Sequence, residues 1–334
     1  MSKENREDRE KGNFLRKALF HAKQYREYVL VCCVFFLCLC CALLDRFLLG
    51  HSNEFLGVLI FEIVVFLIPV FVYFTLNSKT SSVGAFAKEF NITKISHRLV
   101  FLPAVATFLM IFGSLILDIM FFGVYDITDG FALYGYYAAQ GDGSAVSNIY
   151  LILTFAVLPG IFEEIVFRKL LMQRHTNLGV VPAVIISAFF YALTPFSLRL
   201  FPSFFFSGII YCVIFIFTGS LVTSISAHIL FNLYGLYLRT NIANFFISTG
   251  DAYMLVILSI VLFLVSAILF VGLLYKMFLN LAKAGKTPPA LGRKGERTSS
   301  SLKALGEIFK VPSNIITLVI YLAYVIIFGF FSNY

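Results

Sequence analysis

The 334-residue chain is dominated by apolar side chains: 60% of its residues are hydrophobic, 13% are charged, and the mean hydropathy is +0.90. Soluble domains carry about 25% charged residues, so this composition excludes an ordinary soluble domain and predicts a membrane protein. The net charge of +8 would suit nucleic acid, but membrane proteins accumulate Lys and Arg on cytosolic loops. No basic-aromatic motif supports nucleic-acid binding, so we expect the lipid bilayer as the partner surface and no nucleic acid.

Nine apolar stretches approach or exceed the length of about 20 residues that a transmembrane helix needs. They predict an all-α polytopic membrane protein, with a transmembrane bundle of about eight helices and a ninth helix near the C-terminus. The predicted spans are residues 29–49, 56–76, 99–122, 149–168, 180–196, 203–218, 220–238, 253–279 and 313–332.

The distribution of Lys and Arg agrees with this number of spans. If the N-terminus is cytosolic, 23 of the 26 basic residues fall in segments predicted to be cytosolic, and three, Arg46, Arg199 and Arg239, fall outside. Cytosolic loops of membrane proteins carry such an excess of positive charge. The sequence therefore predicts an integral, multi-pass protein with a cytosolic N-terminus.

The polar stretches divide the chain into four parts. Residues 1–27 are predicted to be a cytosolic tail, and residues 28–279 the transmembrane bundle. Residues 280–312, rich in Pro, Gly and Ser, are typical of a linker and are predicted to be cytosolic. Residues 313–334 form the predicted C-terminal transmembrane helix. Within the bundle, residues 123–148 lack Lys and Arg and are expected on the outer side.

The fourth predicted span contains charged residues in the stretch "EEIVFR". An ionised group within a span costs about 2.5–3.5 kcal/mol on insertion scales and usually faces the bundle interior or a cavity. Glu164 and Arg168 share a helix face and can pair, whereas Glu163 points about 100° away on a helix of 3.6 residues per turn. A carboxylate kept from bulk water is suited to activate water as a general base. Alternatively, both glutamates simply extend to the headgroups near the cytosolic boundary.

The seventh predicted span contains a second polar pair. In "SAHILFN", His228 and Asn232 lie four residues apart and therefore on one helix face. Both side chains can reach one cavity from that face. The alternative is that His228 only forms a hydrogen bond between helices, which is the commoner use of a histidine in a span.

These two motifs, "EEIVFR" and, about 65 residues later, "HILFN", resemble those of the CPBP family. This family contains the type II CAAX prenyl endopeptidase-like and Abi membrane proteins, and the resemblance covers about residues 148–240. It implies an intramembrane endopeptidase of the bacterial plasma membrane that acts on a membrane-associated protein or peptide. It further implies that Glu163 activates water, that Glu164 and Arg168 belong to the site, and that His228 and Asn232 bind or polarise the scissile carbonyl.

The chain departs from the family at its middle motif, FxxxH. With Phe190 in register, the histidine position is occupied by Thr194, and Pro195 disfavours helix at that residue. The family leaves zinc open as a cofactor. A zinc site normally has three or four protein ligands, whereas this chain would supply Glu163 and His228 with weak further donors. The sequence therefore leaves metal dependence open.

Three functions remain open from the sequence. The first is a CPBP-type endopeptidase that uses a glutamate-activated water near the cytosolic membrane face. The second is a catalytically degenerate member that binds a partner as a regulator or bacteriocin-immunity factor, which the replacement by Thr194 favours. The third is a small transporter with a proton relay, which lacks the paired broken helices or repeats of such proteins.

Overall fold

A computed structural model describes residues 26–44, 59–60, 62–77, 101–124, 144–173, 175–176, 179–286, 288 and 301–329. This part of the chain forms helices and contains no strand. Five of the helices are long and apolar enough to cross a membrane, which confirms the prediction of an all-α polytopic membrane protein. Most of the predicted N-terminal tail and of the predicted outer segment 123–148 lies outside the described residues, as do residues 287 and 289–300 of the linker.

The described helices are numbered in chain order, and each predicted span coincides with one of them. Helix α9 lies in the segment predicted to be linker. The helices are α1 (Arg26–Leu44), α2 (a π-helical turn, Ile63–Leu67, followed by Ile68–Asn77), α3 (Phe101–Phe122), α4 (Ala145–Met172), α5 (Val180–Ala192), α6 (Phe201–Thr218), α7 (Leu221–Ser248), α8 (Ala252–Lys283), α9 (Ser301–Phe309) and α10 (Pro312–Gly329).

Helices α4 and α7 contain π-helical segments. Those of α4 span Leu153–Val157 and Ile165–Met172, and that of α7 spans Tyr234–Leu238. Such segments are rare and occur frequently at functional sites. Helix α4 continues to Met172, four residues beyond the end of the predicted span 149–168. Arg168 is fully buried inside the bundle.

The bundle is organised around α3 and α4. Helix α3 packs against α6, α7 and α8, while α4 packs against α5 and α7 and also touches α1 and α2. Close approach of α4 to α7 depends on Gly160, because a Cβ atom at this position would lie 2.8 Å from Cγ1 of Ile229. Gly160 lies one turn before the two glutamates, and Ile229 follows His228. This contact therefore brings the two predicted motifs together.

Helix α8 presents most of its surface to the outside of the protein. Only 22% of its most apolar window is buried, and the exposed side chains include Ile257, Leu264, Ile268 and Val271. An apolar face of this extent suits the hydrocarbon core of a bilayer, where the helix also satisfies its own backbone hydrogen bonds.

The two C-terminal helices pack onto the bundle. Helix α10 lies against α1, and α9 lies against α5, where the rings of Phe309 and Phe189 are 5.1 Å apart. The segment between α5 and α6 also contacts α10, since the ring of Phe196 lies 4.1 Å from that of Tyr324. The ninth predicted span is thus packed into the bundle despite the polar stretch that precedes it.

A buried ion pair joins α3 to α7. Nη2 of Arg239 donates to Oδ2 of Asp118 at 2.5 Å, and the hydroxyl of Ser203 on α6 donates to Oδ1 at 2.7 Å. Arg239 and Asp118 are 1% and 3% exposed. Arg239, which the sequence places in an outer segment after the seventh predicted span, is a buried residue. The pair connects three helices, and it lies eleven residues, roughly 16 Å along α7, from His228.

We expect Asp118→Ala to destabilise the protein by about 3–5 kcal/mol, because it leaves the buried guanidinium of Arg239 without this carboxylate. The measurement is unfolding of the detergent-solubilised protein. Glu307→Ala is the control, since it breaks an ion pair with Lys310 whose side chains are 63% and 72% exposed, and exposed pairs contribute about 0–1 kcal/mol. Equal stability of the two variants would contradict a structural role for the Asp118 pair.

Candidate functional site

Glu164 lies at the centre of a buried polar cluster between α4 and α7. Its Oε2 atom is 3.2 Å from Nε of Arg168, one turn later on α4, and accepts a hydrogen bond from the hydroxyl of Ser224 on α7. Its Oε1 atom is 2.9 Å from Nδ1 of His228. Glu164 and Arg168 are both 0% exposed. The carboxylate therefore compensates a buried cation and at the same time holds residues of another helix.

His228 is oriented by this carboxylate. An ionised carboxylate only accepts hydrogen bonds, so Nδ1 of His228 must carry the hydrogen that faces Glu164. The second nitrogen, Nε2, then points to the opposite side of the ring. There it lies 3.7 Å from Oε2 of Glu163 and 3.4 Å from the hydroxyl of Tyr191. The two adjacent glutamates of α4 thus contact the two nitrogens of one imidazole.

Aromatic rings fix the positions of the cation and the imidazole. The guanidinium of Arg168 lies 4.4 Å from the ring centre of Tyr191 and 5.0 Å from that of Tyr211, within the range of cation–π attraction. Tyr211 also stacks on His228, with centroids 4.8 Å apart. The terminal nitrogens of Arg168 form no hydrogen bond with other described residues. The two tyrosine faces therefore provide much of its local stabilisation.

The π-helical segment around Arg168 is tied to α5. The hydroxyl of Ser187 donates to the backbone carbonyl of Phe167 at 2.7 Å. A π-helical turn displaces backbone groups from the regular α-helical pattern, and a buried carbonyl needs a hydrogen-bond partner. Ser187 supplies that partner and so supports the backbone that carries Arg168.

Glu163 is the carboxylate of this cluster that has no arginine partner. It is 8% exposed, and its recorded ion-pair contact within the described part of the chain is the one with His228. Glu62, the residue that precedes α2, lies close enough to interact electrostatically with Glu163. Glu163 is thus held less tightly than Glu164, and it is the carboxylate more readily available to a water molecule.

Asn232 lies one turn after His228 on α7, as its spacing requires. It is 7% exposed, and its side-chain amide forms no hydrogen bond with another residue that the structure describes. The amide has both donor and acceptor atoms. Hydrogen bonds and ion pairs link the side chains of Glu163, Glu164, Arg168 and His228, but none links them to the side chain of Asn232.

Thr194, at the family's histidine position, is not part of this cluster. Helix α5 ends at Ala192, and Thr194 lies in the turn that follows, where its hydroxyl donates to the carbonyl of Tyr191 at 2.7 Å. The helix therefore ends before Thr194, as Pro195 favours. On α5, the side chain that reaches His228 is Tyr191.

None of the other four histidines is seen in this cluster. His21, His51 and His97 lie outside the described residues, and His175 packs on Tyr28.

The donors in this cluster do not fit a zinc site. Nδ1 of His228 and both oxygens of Glu164 are engaged in contacts within the cluster, which leaves Glu163 and Nε2 of His228. Zinc sites in proteins normally have three or four protein ligands. In the described ranges, no group of three or more His, Cys, Asp or Glu side chains is arranged to hold a metal ion.

The alternative in which the glutamates extend to the headgroups is excluded for Glu164. Neither Glu164 nor Arg168 has any exposed surface, and both contact residues of other helices. The pair expected from the i, i+4 spacing is present, but it lies inside the bundle. Burial of a complete pair avoids the larger cost of an unpaired charge.

Several residues of the cluster were not predicted as site residues from the sequence. Ser224 precedes His228 by one turn and so shares its face, a signal that was available from the spacing. Glu62 is an ionisable group within the second predicted span, and such groups are candidates for functional sites. Nothing in the sequence alone distinguishes Tyr191 and Tyr211 from the other 15 tyrosines of the chain.

Part of the chain matches the model of a known protein family. Residues 145–234 match the family model described as Rce1-like, the type II CAAX prenyl endopeptidases. The matched segment contains all of α4, α5 and α6, and the part of α7 that carries His228 and Asn232. No curated protein and no solved structure gives a significant match. The resemblance to the CPBP family is confirmed by this match, and residues 145–234 carry the signature of its type II CAAX prenyl endopeptidases.

Proposed function

We propose that the protein is an intramembrane endopeptidase of CPBP type, in which Glu163 activates a water molecule to hydrolyse a peptide bond. The family match supports a membrane protease. The catalytic proposal rests on the distance between Nε2 of His228 and Oε2 of Glu163, which is 3.7 Å. On the other edge of the ring, Nδ1 is held by Glu164. The substrate is a membrane-associated protein or peptide.

The proposed reaction divides the work between the two glutamates. Glu163 takes a proton from water as the water oxygen attacks the scissile carbonyl carbon, and the carbonyl becomes an oxyanion. Donors near that oxygen stabilise the transition state, and the amide of Asn232 is the donor proposed for this role, while His228 lies beside Glu163 in the site. When the C–N bond breaks, Glu163 returns the proton to the leaving amine. Water is the only co-reactant, and the products of the cleaved peptide bond are a carboxylic acid and an amine.

Glu164 has a positioning role in this proposal. Its bond to Nδ1 fixes the hydrogen of His228 on the side away from Glu163. This arrangement is analogous to the carboxylate that orients the histidine of a hydrolytic triad. Arg168 and Ser224 in turn hold the carboxylate. The proton transfer is therefore assigned to Glu163, which is 8% exposed, and the orientation of His228 is assigned to Glu164, which is 0% exposed.

A second candidate is a non-catalytic member that binds a membrane partner through the same cluster. Its specific support is Thr194, which replaces the family's histidine and whose hydroxyl bonds the local backbone. In this case Glu163 would contact a partner instead of a water. The two candidates differ in what Glu163 does, so a variant of this residue distinguishes them.

We expect Glu163→Gln to lower cleavage of a peptide substrate by at least about 10²-fold, because the amide cannot act as the general base. The measurement is proteolysis of candidate membrane peptides by the purified protein, with membrane abundance checked for each variant. Wild-type cleavage should persist in chelator, since the cluster lacks the ligands of a zinc site. A normal host phenotype of the Glu163→Gln strain would favour the partner-binding candidate and contradict the hydrolytic one.

We expect the adjacent glutamates to differ in their contribution to stability. Glu164→Ala leaves Arg168 as an uncompensated buried charge and should cost about 3–5 kcal/mol of unfolding free energy. Glu163→Ala removes a carboxylate that has no arginine partner, so it leaves no buried cation uncompensated and should cost less than Glu164→Ala. Thermal unfolding of both variants under one detergent condition provides the test. An equal loss for the two alanine variants would show that the assigned division of roles is wrong.

A further inference from the structure

We propose that Tyr191 takes the place of the missing middle-motif histidine by donating a hydrogen bond from its hydroxyl to Nε2 of His228. The hydroxyl oxygen lies 3.4 Å from this nitrogen, and the ring is edge-on to the imidazole at 5.6 Å. This role rests on the proposed function, since it positions the histidine that lies beside the proposed base Glu163. Tyr191 is thus a positioning residue.

The direction of the hydrogen bond follows from the other ring nitrogen. Because Glu164 accepts from Nδ1, a neutral His228 carries its hydrogen there and presents a lone pair at Nε2. A tyrosine hydroxyl can donate to that lone pair, whereas an ionised Glu163 cannot. The hydroxyl therefore holds the neutral imidazole from the side that Glu164 does not reach, and His228 is oriented at both nitrogens.

The ring of Tyr191 is fixed by its neighbours, so that its hydroxyl points to one place. The guanidinium of Arg168 lies over one face, and Phe204 stacks on the ring with centroids 5.5 Å apart. Phe167 contacts it edge-on at 5.8 Å. The ring has no exposed surface. Preorganised contacts of this kind are what a positioning residue requires.

Gly208 on α6 provides the space that the ring occupies. A Cβ atom at this position would lie 3.0 Å from Cδ1 of Tyr191 and 3.1 Å from Cβ of Ala188. Any larger residue would press on the ring and on the backbone of α5. The absence of a side chain at residue 208 therefore contributes directly to the position of the Tyr191 hydroxyl.

Thr194 does not compete for this role. Its hydroxyl is bonded to the carbonyl of Tyr191, and it lies beyond the end of α5 at Ala192. A side chain three residues further along the chain is therefore turned away while Tyr191 faces the imidazole. The end of α5 therefore separates Thr194, which lies in the turn, from Tyr191, which faces the imidazole from the last turn of the helix.

The test is nitrogen NMR of the full-length protein with labelled histidine, of which the chain has five. His228→Gln identifies the signals of this residue. Tyr191→Phe should move the Nε2 resonance toward that of an unbonded ring nitrogen and leave the Nδ1 resonance unchanged. Tyr321→Phe is the control, because its buried hydroxyl has no hydrogen-bond partner among the described residues, and it should change neither signal.

A second variant, Gly208→Ala, tests the same contact if Tyr191→Phe does not fold. Gly208→Ala keeps the tyrosine hydroxyl but displaces its ring, so it should shift the same Nε2 resonance. Unchanged Nε2 signals in both folded variants, or equal shifts in Tyr321→Phe, would overturn the proposal.

Cleavage gives an independent readout of the same contact. Tyr191→Phe should lower cleavage about tenfold, the value of one hydrogen bond of ordinary strength, while Tyr321→Phe should cleave as the wild type does. If Tyr191→Phe shifts the Nε2 resonance but the wild-type protein cleaves no peptide, the proposed function is refuted and the contact between Tyr191 and His228 is established. Active protein in which Tyr191→Phe alters neither readout would refute the role of Tyr191 alone.

Discussion

A carboxylate with no exposed surface, Glu164, neutralises the equally buried Arg168 one turn away on the same helix. Removing two charges from water is costly unless each finds a partner and its remaining polar atoms are bonded. Here Ser224 and His228 bond the oxygens of Glu164, and two tyrosine rings cover the guanidinium. These contacts form only when α4, α5, α6 and α7 are packed together, so this interaction couples the bundle to the site.

The availability of Glu163 to a water molecule depends on that arrangement. Because Glu164 is committed to Arg168 and His228, the adjacent Glu163 contacts Nε2 of the imidazole and has no arginine to neutralise it. A site that separates a structural carboxylate from a reactive one is common in hydrolases, where environment decides the role of each. The close approach of α4 to α7 at Gly160 permits both contacts. In this account, packing between two helices determines which glutamate is available to water.

The hydrophobic pattern was sufficient to predict the helices and the membrane class, since each predicted span coincides with a helix. Spacing within one helix was equally informative: Glu164 and Arg168 pair as i, i+4 neighbours. What the pattern could not predict was contacts between helices, such as that between Tyr191 and His228, because they depend on helix rotation and on where α5 ends. It also misjudged Arg239, which hydropathy treats as a loop charge and which Asp118 holds inside the bundle.

The most direct test is a double-mutant cycle on Glu164 and His228, 64 residues apart in the chain. Glu164→Gln, His228→Ala and the double variant would be compared by reversible unfolding in mixed micelles. A hydrogen bond to a charged group contributes about 1.5–3 kcal/mol, so the account predicts that the double variant loses less stability than the two single losses combined, by an amount in that range. Additive losses, within about 0.5 kcal/mol, would mean that the two side chains do not touch and would contradict the account.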